Sequence, residues 1–240
     1  MDIRIALTAM VAAAGVASAQ NYNEMGDAAE YPGAQLTGSG ALDTISGSID
    51  APSGDHVDAY RIRISDAANF YATTSTSRDS RGNTDDGAGD TWDSRLWLFD
   101  LSGNLVMGND DDPLAVSTFG GGDGTFQSTI AQPSWWDANV GGAQVNAPGS
   151  VSNGSDYILV ISYFPNDADD AAGTDLAAFT SDFDGLHGLN PAAGAFAGWE
   201  NTGTESGSYV IALNGASAVP APAAAALLGL GGLAAGRRRR

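Results

Sequence analysis

Asp93-Ser94-Arg95-Leu96-Trp97-Leu98-Phe99-Asp100, then Leu101-Ser102-Gly103-Asn104, then Leu105-Val106-Met107-Gly108-Asn109-Asp110-Asp111-Asp112: two apolar runs flank a short polar stretch. That pattern predicts a β-hairpin, and Trp, Phe, Leu and Val suit a pleated, buried surface. Pairing outward from a turn near Ser102 sets Leu98 against Leu105 or Val106, and Leu96 against Met107. Asp93 then comes out beside Asn109 and Asp110. One end of the hairpin collects carboxylates. The other carries Asp100, whose expected work is to accept turn hydrogen bonds.

Outward from the hairpin, residues 57–64 alternate most cleanly. Tyr60, Ile62 and Ile64 fall on one face, Arg61 and Arg63 on the other. Residues 156–164 are a near-continuous apolar run, which predicts a central strand. Residues 206–213 alternate again, with Tyr209, Ile211 and Leu213 together. Weaker strands are expected at 42–49, at 69–76 and at 125–130 around Phe126. Residues 21–40 read as polar loop, and 50–55, with Pro52 and Gly54, as a turn. Residues 78–92 and 113–124 read as loops, and 131–153 and 166–198 as irregular insertions. No stretch of the body holds a helical period. The expected class is all-β: an antiparallel β-sandwich, jelly-roll-like, with long Gly- and Asp-rich loops. Its core should hold Tyr60, Ile62, Ile64, Leu96, Trp97, Leu98, Leu159, Ile161, Tyr209 and Ile211.

The two ends differ from this body. Residues 1–19 have the make-up of a secretory signal helix: Arg4, an apolar stretch at 5–16, and the small cleavage residues Ala17 and Ala19 before Gln20. At the other end Val219, Pro220, Ala221 and Pro222 precede an Ala, Leu and Gly run at 223–236, closed by Arg237, Arg238, Arg239 and Arg240. That short apolar helix would be about 14–16 residues, under the ~20 of a stable bilayer span. The arginines would stay cytoplasmic. The expected organisation is a signal peptide at 1–19, one β domain at 20–218 and an anchoring tail at 219–240. The chain is then exported and held transiently in the inner membrane.

Composition narrows the partners. The 240 residues include 25 Asp, 4 Glu, 10 Arg and no Lys, for a net charge of −19. Without the two ends, 28 acids face 5 Arg, a net −23. Nucleic acid is excluded, because phosphate binding needs a basic stripe. Divalent cations suit such a surface; so does simple self-repulsion in salty water. There is no Cys, hence no disulfide and no thiolate metal site.

The tail resembles the PEP-CTERM sorting signal, which is read by the membrane protease exosortase. The match covers Val219, Pro220, Pro222, the apolar segment and the terminal arginines; Ala221 stands where the family has Glu. The resemblance implies an exported envelope or exopolysaccharide-associated protein, with exosortase and extracellular polysaccharide as partners. The body resembles the bacterial pre-peptidase C-terminal domain, a small β-sandwich of secreted proteins. The matching pieces are residues 55–62, 93–100, Gly103, 109–111, 157–162 and 206–211. Ser94 and Arg95 stand where that family has Thr and Gln. The resemblance implies a non-catalytic accessory module.

No nucleophile motif supports an enzyme: there is no G-x-S-x-G, no Lys and no Cys. His56 and His187 read as solvated loop residues. Calcium is the sharper expectation, because hard cations want several oxygen ligands. Asp93, Asn109, Asp110, Asp111 and Asp112 would supply them, with Asp90 in reach; the alternative is turn and capping bonds in solvent. Asp167, Asp169, Asp170 and Asp175 are a second candidate set. Trp92, Trp135, Trp136 and Trp199 lie in or beside loops, where an exposed ring stacks on sugar. The first functional expectation is a non-enzymatic, surface-sorted envelope sandwich, and the alternative a secreted calcium- or carbohydrate-binding module.

Overall fold

A computed structural model of the chain describes residues 19–74, 93–111, 127–179, 185–204 and 206–221. The signal helix, Asp90, Trp92, Asp112, Phe126 and the tail from Pro222 onward lie outside the described residues.

The described chain is mostly β. Its strands begin with β1 (Gln20–Asn23), β2 (Gln35–Leu36), β3 (Gly40–Asp50), β4 (Val57–Ile64) and β5 (Tyr71–Thr73). The hairpin supplies β6 (Ser94–Asp100) and β7 (Leu105–Asn109). Then come β8 (Thr129–Ala131), the helix α1 (Pro133–Asn139), β9 (Gln144–Val145) and β10 (Asp156–Tyr163). The chain continues through β11 (Ala168–Asp170), β12 (Leu186–His187), β13 (Phe196–Trp199), β14 (Ser206–Asn214) and β15 (Ala216–Ala218).

Thirteen of these strands form one curled, antiparallel-rich network. One half runs β8-β5-β14-β3, with β1 laid parallel on β3. The other runs β4-β10-β6-β7-β12-β9, with β2 laid parallel on β4. β15 joins β3 to β4. The curl lets both halves bury the same apolar face. Ile45, Ile49, Tyr209 and Ile211 of the first half meet Tyr60, Ile62, Ile64, Leu96, Leu98, Leu159 and Ile161 of the second in one core. Fully burying one such Leu or Ile contributes about 1.5–3 kcal/mol. Every core residue expected from alternation is buried, while Arg63 faces solvent.

The second half is buried on its other face as well. Val57, Ala59, Trp97, Phe99, Ile158 and Val160 pack there under Tyr31, Leu176 and Ala177. A strand covered on both faces has no polar side to show, which is why β10 reads as an unbroken apolar run. What covers it corrects two loop expectations. Residues 166–198 carry β11, β12 and most of β13, with β11 and β13 paired as a separate small sheet. Residues 21–40 carry most of β1 and all of β2, and Tyr31 stacks on Phe99 with ring centroids 4.4 Å apart. Two-residue strands and isolated aromatics leave no period to read. The expected insertion at 131–153 likewise contains α1, opened by Pro133 at its first turn, where a missing N–H costs nothing. Its Trp136 enters the common core.

The hairpin forms, with a shifted register. Leu98 pairs with Met107 and Leu96 with Asn109, and the ladder breaks between Leu98 and Phe99, which faces Leu105. Val106 is therefore an extra residue, a bulge of the kind that lengthens one strand locally. The turn works as expected. Asp100 Oδ1 accepts the Ser102 and Asn104 N–H groups at 2.8 and 2.9 Å. Gly103 sits at φ 92°, a conformation that favours glycine. Burial raises the Asp100 pKa, but these turn hydrogen bonds outweigh it and hold the carboxyl below its ordinary range.

Candidate metal centre

The open end of the hairpin gathers the acids. Carrying the Leu96–Asn109 register two residues further sets Arg95 across from Asp110 and Ser94 across from Asp111. Asp93, just before β6, joins them. Carboxylate oxygens of Asp93, Asp110 and Asp111 all lie within 4.8 Å of one another. Asp110 and Asp111 are buried and Asp93 is half-buried. One Ca2+ holds oxygens at about 2.3–2.6 Å, so two ligands on opposite sides of it stand roughly 5 Å apart. The spacing fits a single hard cation. Asp110 Oδ1 is buried with no hydrogen-bond partner, while its Oδ2 accepts from Arg95.

Asn109, next to the acids, braces the scaffold. Its Oδ1 accepts the Thr129 N–H at 2.6 Å, and its Nδ2 donates to the Gly185 carbonyl at 2.7 Å. It ties the end of β7 to β8 and to the start of β12. Ser128 does similar work, its hydroxyl donating to the carbonyls of Ser94 and Asp110.

Arg95 is the residue that sequence reading missed. It is buried, with Nη2 2.9 Å from Asp110 Oδ2 and Nη1 2.7 Å from Asp167 Oδ1, and it lies over the Phe164 and Phe179 rings. The latter carboxyl is pushed up to about 7: burial outweighs the pull of Arg95, and Asp175 and Asp110 add to the rise. The signal was its place in β6, on the face of Trp97 rather than that of Leu96.

The second candidate set regroups. Asp169 and Asp175 come together with Glu200, their carboxylate oxygens within 4.8 Å. Asp167 goes to Arg95 instead. Asp170 goes to loop backbone, accepting the N–H groups of Ala172, Thr174 and Gly194. Burial, followed by the charges of Glu200 and Asp175, pushes Asp169 up to about 6.

A third group, Glu24, Asp27 and Asp58, meets the same 4.8 Å spacing. Asp58 is fully buried, and the alternation of β4 marks it: Asp58, Tyr60 and Ile62 share the inward face. Tyr209 donates its hydroxyl to Asp58 Oδ2 at 2.5 Å and is itself hydrogen-bonded to the Tyr60 hydroxyl. Burial pushes the Asp58 carboxyl up to about 8 against the Tyr209 hydrogen bond, with Glu24, Asp55 and Asp27 adding to the rise.

The remaining expectations change in detail. His187 is wholly buried in β12 against Phe179, not solvated. His56 is half-buried and stacks on Tyr163. Of the Trp135 and Trp136 pair, the second is fully buried and the first half-buried against Tyr71. Trp199 lies half-buried against Trp97 and Phe99. Among the described residues no helix is long and apolar enough to cross a membrane. No family model matches the chain. No curated protein and no solved structure matches it either.

Proposed function

We propose that the chain is an exported, non-enzymatic component of the cell envelope or its extracellular matrix. In this reading it is a single antiparallel β-sandwich, jelly-roll-like in its winding, sorted by its tail through an exosortase-type protease and steadied by a structural Ca2+. The observation that carries the cation is the Asp93, Asp110 and Asp111 group, with its spacing of 4.8 Å or less and the buried Asp110 Oδ1. The sandwich is supported by two sheet halves that share one core. Sorting, with exopolysaccharide as the matrix it leads to, is supported by the residue pattern at 219–240.

Calorimetric titration of the intact chain with Ca2+, beside Mg2+ at equal ionic strength, tests the ion. Mg2+ demands tight octahedral geometry and keeps its waters, so it controls for screening of the acidic surface. A structural Ca2+ raises stability by about 2.7 kcal/mol at a hundredfold excess over Kd, and Asp110→Asn removes that gain. Equal responses to the two ions, unchanged by the substitution, would sink the cation. Mass spectrometry of protein from the native envelope tests the sorting. A start at Gln20 and loss of the segment beyond Pro222 are expected; retained Arg237, Arg238, Arg239 and Arg240 refute it.

A further inference from the structure

We infer that Glu24, Asp27 and Asp58 form a second divalent-cation site, one that fastens the N-terminal segment to the inward face of β4. The inference uses none of the hairpin residues and stands or falls apart from the first site. Asp58 is fully buried, yet its Oδ1 has no hydrogen-bond partner. A buried carboxylate oxygen left without one costs far more than a neutral group in the same place. Its carboxylate reaches into the cluster, with an oxygen within 4.8 Å of oxygens on Glu24 and Asp27.

Glu24 is held ready by the backbone. Its Oε1 accepts the Ala28 N–H at 2.8 Å and its Oε2 the Ser48 N–H at 2.9 Å. Each oxygen keeps a second lone pair for another partner. β3 comes close enough for this only because position 47 is glycine: a Cβ there would overlap Glu24 Oε2 and the Tyr209 hydroxyl. Asp55 adds a fourth acid nearby, and its own Oδ1 is buried without a partner.

The contrast with the hairpin end decides what is missing. There Arg95 stands among the acids. Here, among the described residues, no Arg or His pairs with Glu24, Asp27 or Asp58. The chain has no Lys to supply the countercharge. A hard divalent cation with oxygen preference, Ca2+ above all, matches the donor set.

The test is Ca2+ titration of the intact chain combined with amide hydrogen exchange over residues 20–31. Ca2+ is expected to slow exchange in that segment for the wild type and for Asp110→Asn, but not for Asp58→Asn. Asp27 is exposed, so Asp27→Asn leaves the fold intact. It should weaken binding at this site by about tenfold or more, a loss that outer-shell changes around a metal already produce. Unchanged exchange in the wild type on adding Ca2+ overturns the inference. So does wild-type binding and protection in Asp27→Asn: the protecting ion would then sit away from these three acids. Loss of the Asp110-dependent heat alone leaves this site standing.

Discussion

Replacing Arg95 with Met isolates the cost of a buried charge pair. The guanidinium side chain is 4% exposed and touches carboxylates on two segments, Asp110 at 2.9 Å and Asp167 at 2.7 Å. Met fills much of the same volume, so the packing against Phe164 and Phe179 survives and the charge is what goes. Removing one partner of a buried pair costs about 3–5 kcal/mol, because the charge left behind is uncompensated. Here two carboxylates are left behind, but Asp167, already pushed up to about 7, escapes by taking a proton. A larger loss is therefore expected at pH 8 than at pH 5.5. For a domain of this size 1 kcal/mol moves Tm by about 2–4 °C, so Arg95→Met should melt on the order of 10 °C lower at pH 8. Thermal unfolding followed by circular dichroism at the two pH values reads this directly. Asp167→Asn added to Arg95→Met should recover part of the loss. A fall of under about 2 °C at pH 8, equivalent to less than ~1 kcal/mol, would refute the reasoning: the guanidinium would then be exchanging these carboxylates for water.

Two further expectations follow from the acidic groups and their neighbours. Asp58 titrates at about 8 in the folded chain against an ordinary value of about 3.9, so its contribution to stability is complete below the lower value and is lost as pH rises through the upper. Asp167 at about 7, with Asp55 and Asp169 at about 6, acts in the same direction; metal-free protein should show a lower urea midpoint at pH 8.5 than at pH 5.5, and a rising midpoint would contradict the burial of these groups. Gly47→Ala should destabilise by about 1–3 kcal/mol, the usual cost of forcing extra volume into a packed site, because Tyr209 and Glu24 occupy the space a Cβ needs; an unchanged urea midpoint would place β1 and the turn after it further from β3.

The strands of the body were readable because burial imposes a period. β4, β14 and β6 each carry their inward residues two apart, and those residues are the core. The hairpin register was misread by the bulge at Val106, since an extra residue in one strand leaves no mark on composition. Asp58 was readable too: it shares a face with Tyr60 and Ile62, and the same alternation that placed those two inward places the acid inward. What hid it was the background, 25 Asp in one chain. Arg95 and Asp167 lie far apart in the sequence, and nothing local ties them together. The cover of the outer face was invisible for a related reason. Tyr31 and Leu176 come from loops and Trp199 from the four-residue β13, so no segment repeats often enough to show a pattern.

The seam between the two sheet halves sets how the domain bears a load. β3 and β4 do not pair with each other; the short strand β15 lies between them, antiparallel to both. It is also the last strand of the described body, so any tension applied through the C-terminal end enters the domain there. Inter-strand hydrogen bonds run perpendicular to the strands. A pull along β15 therefore shears both of its edges at once, whereas a pull across it peels them one bond at a time. With only Ala216, Ser217 and Ala218 in that seam, peeling frees β15 before β10 and β4, paired over seven residues, begin to slide, and the shared core is then what holds the two halves together.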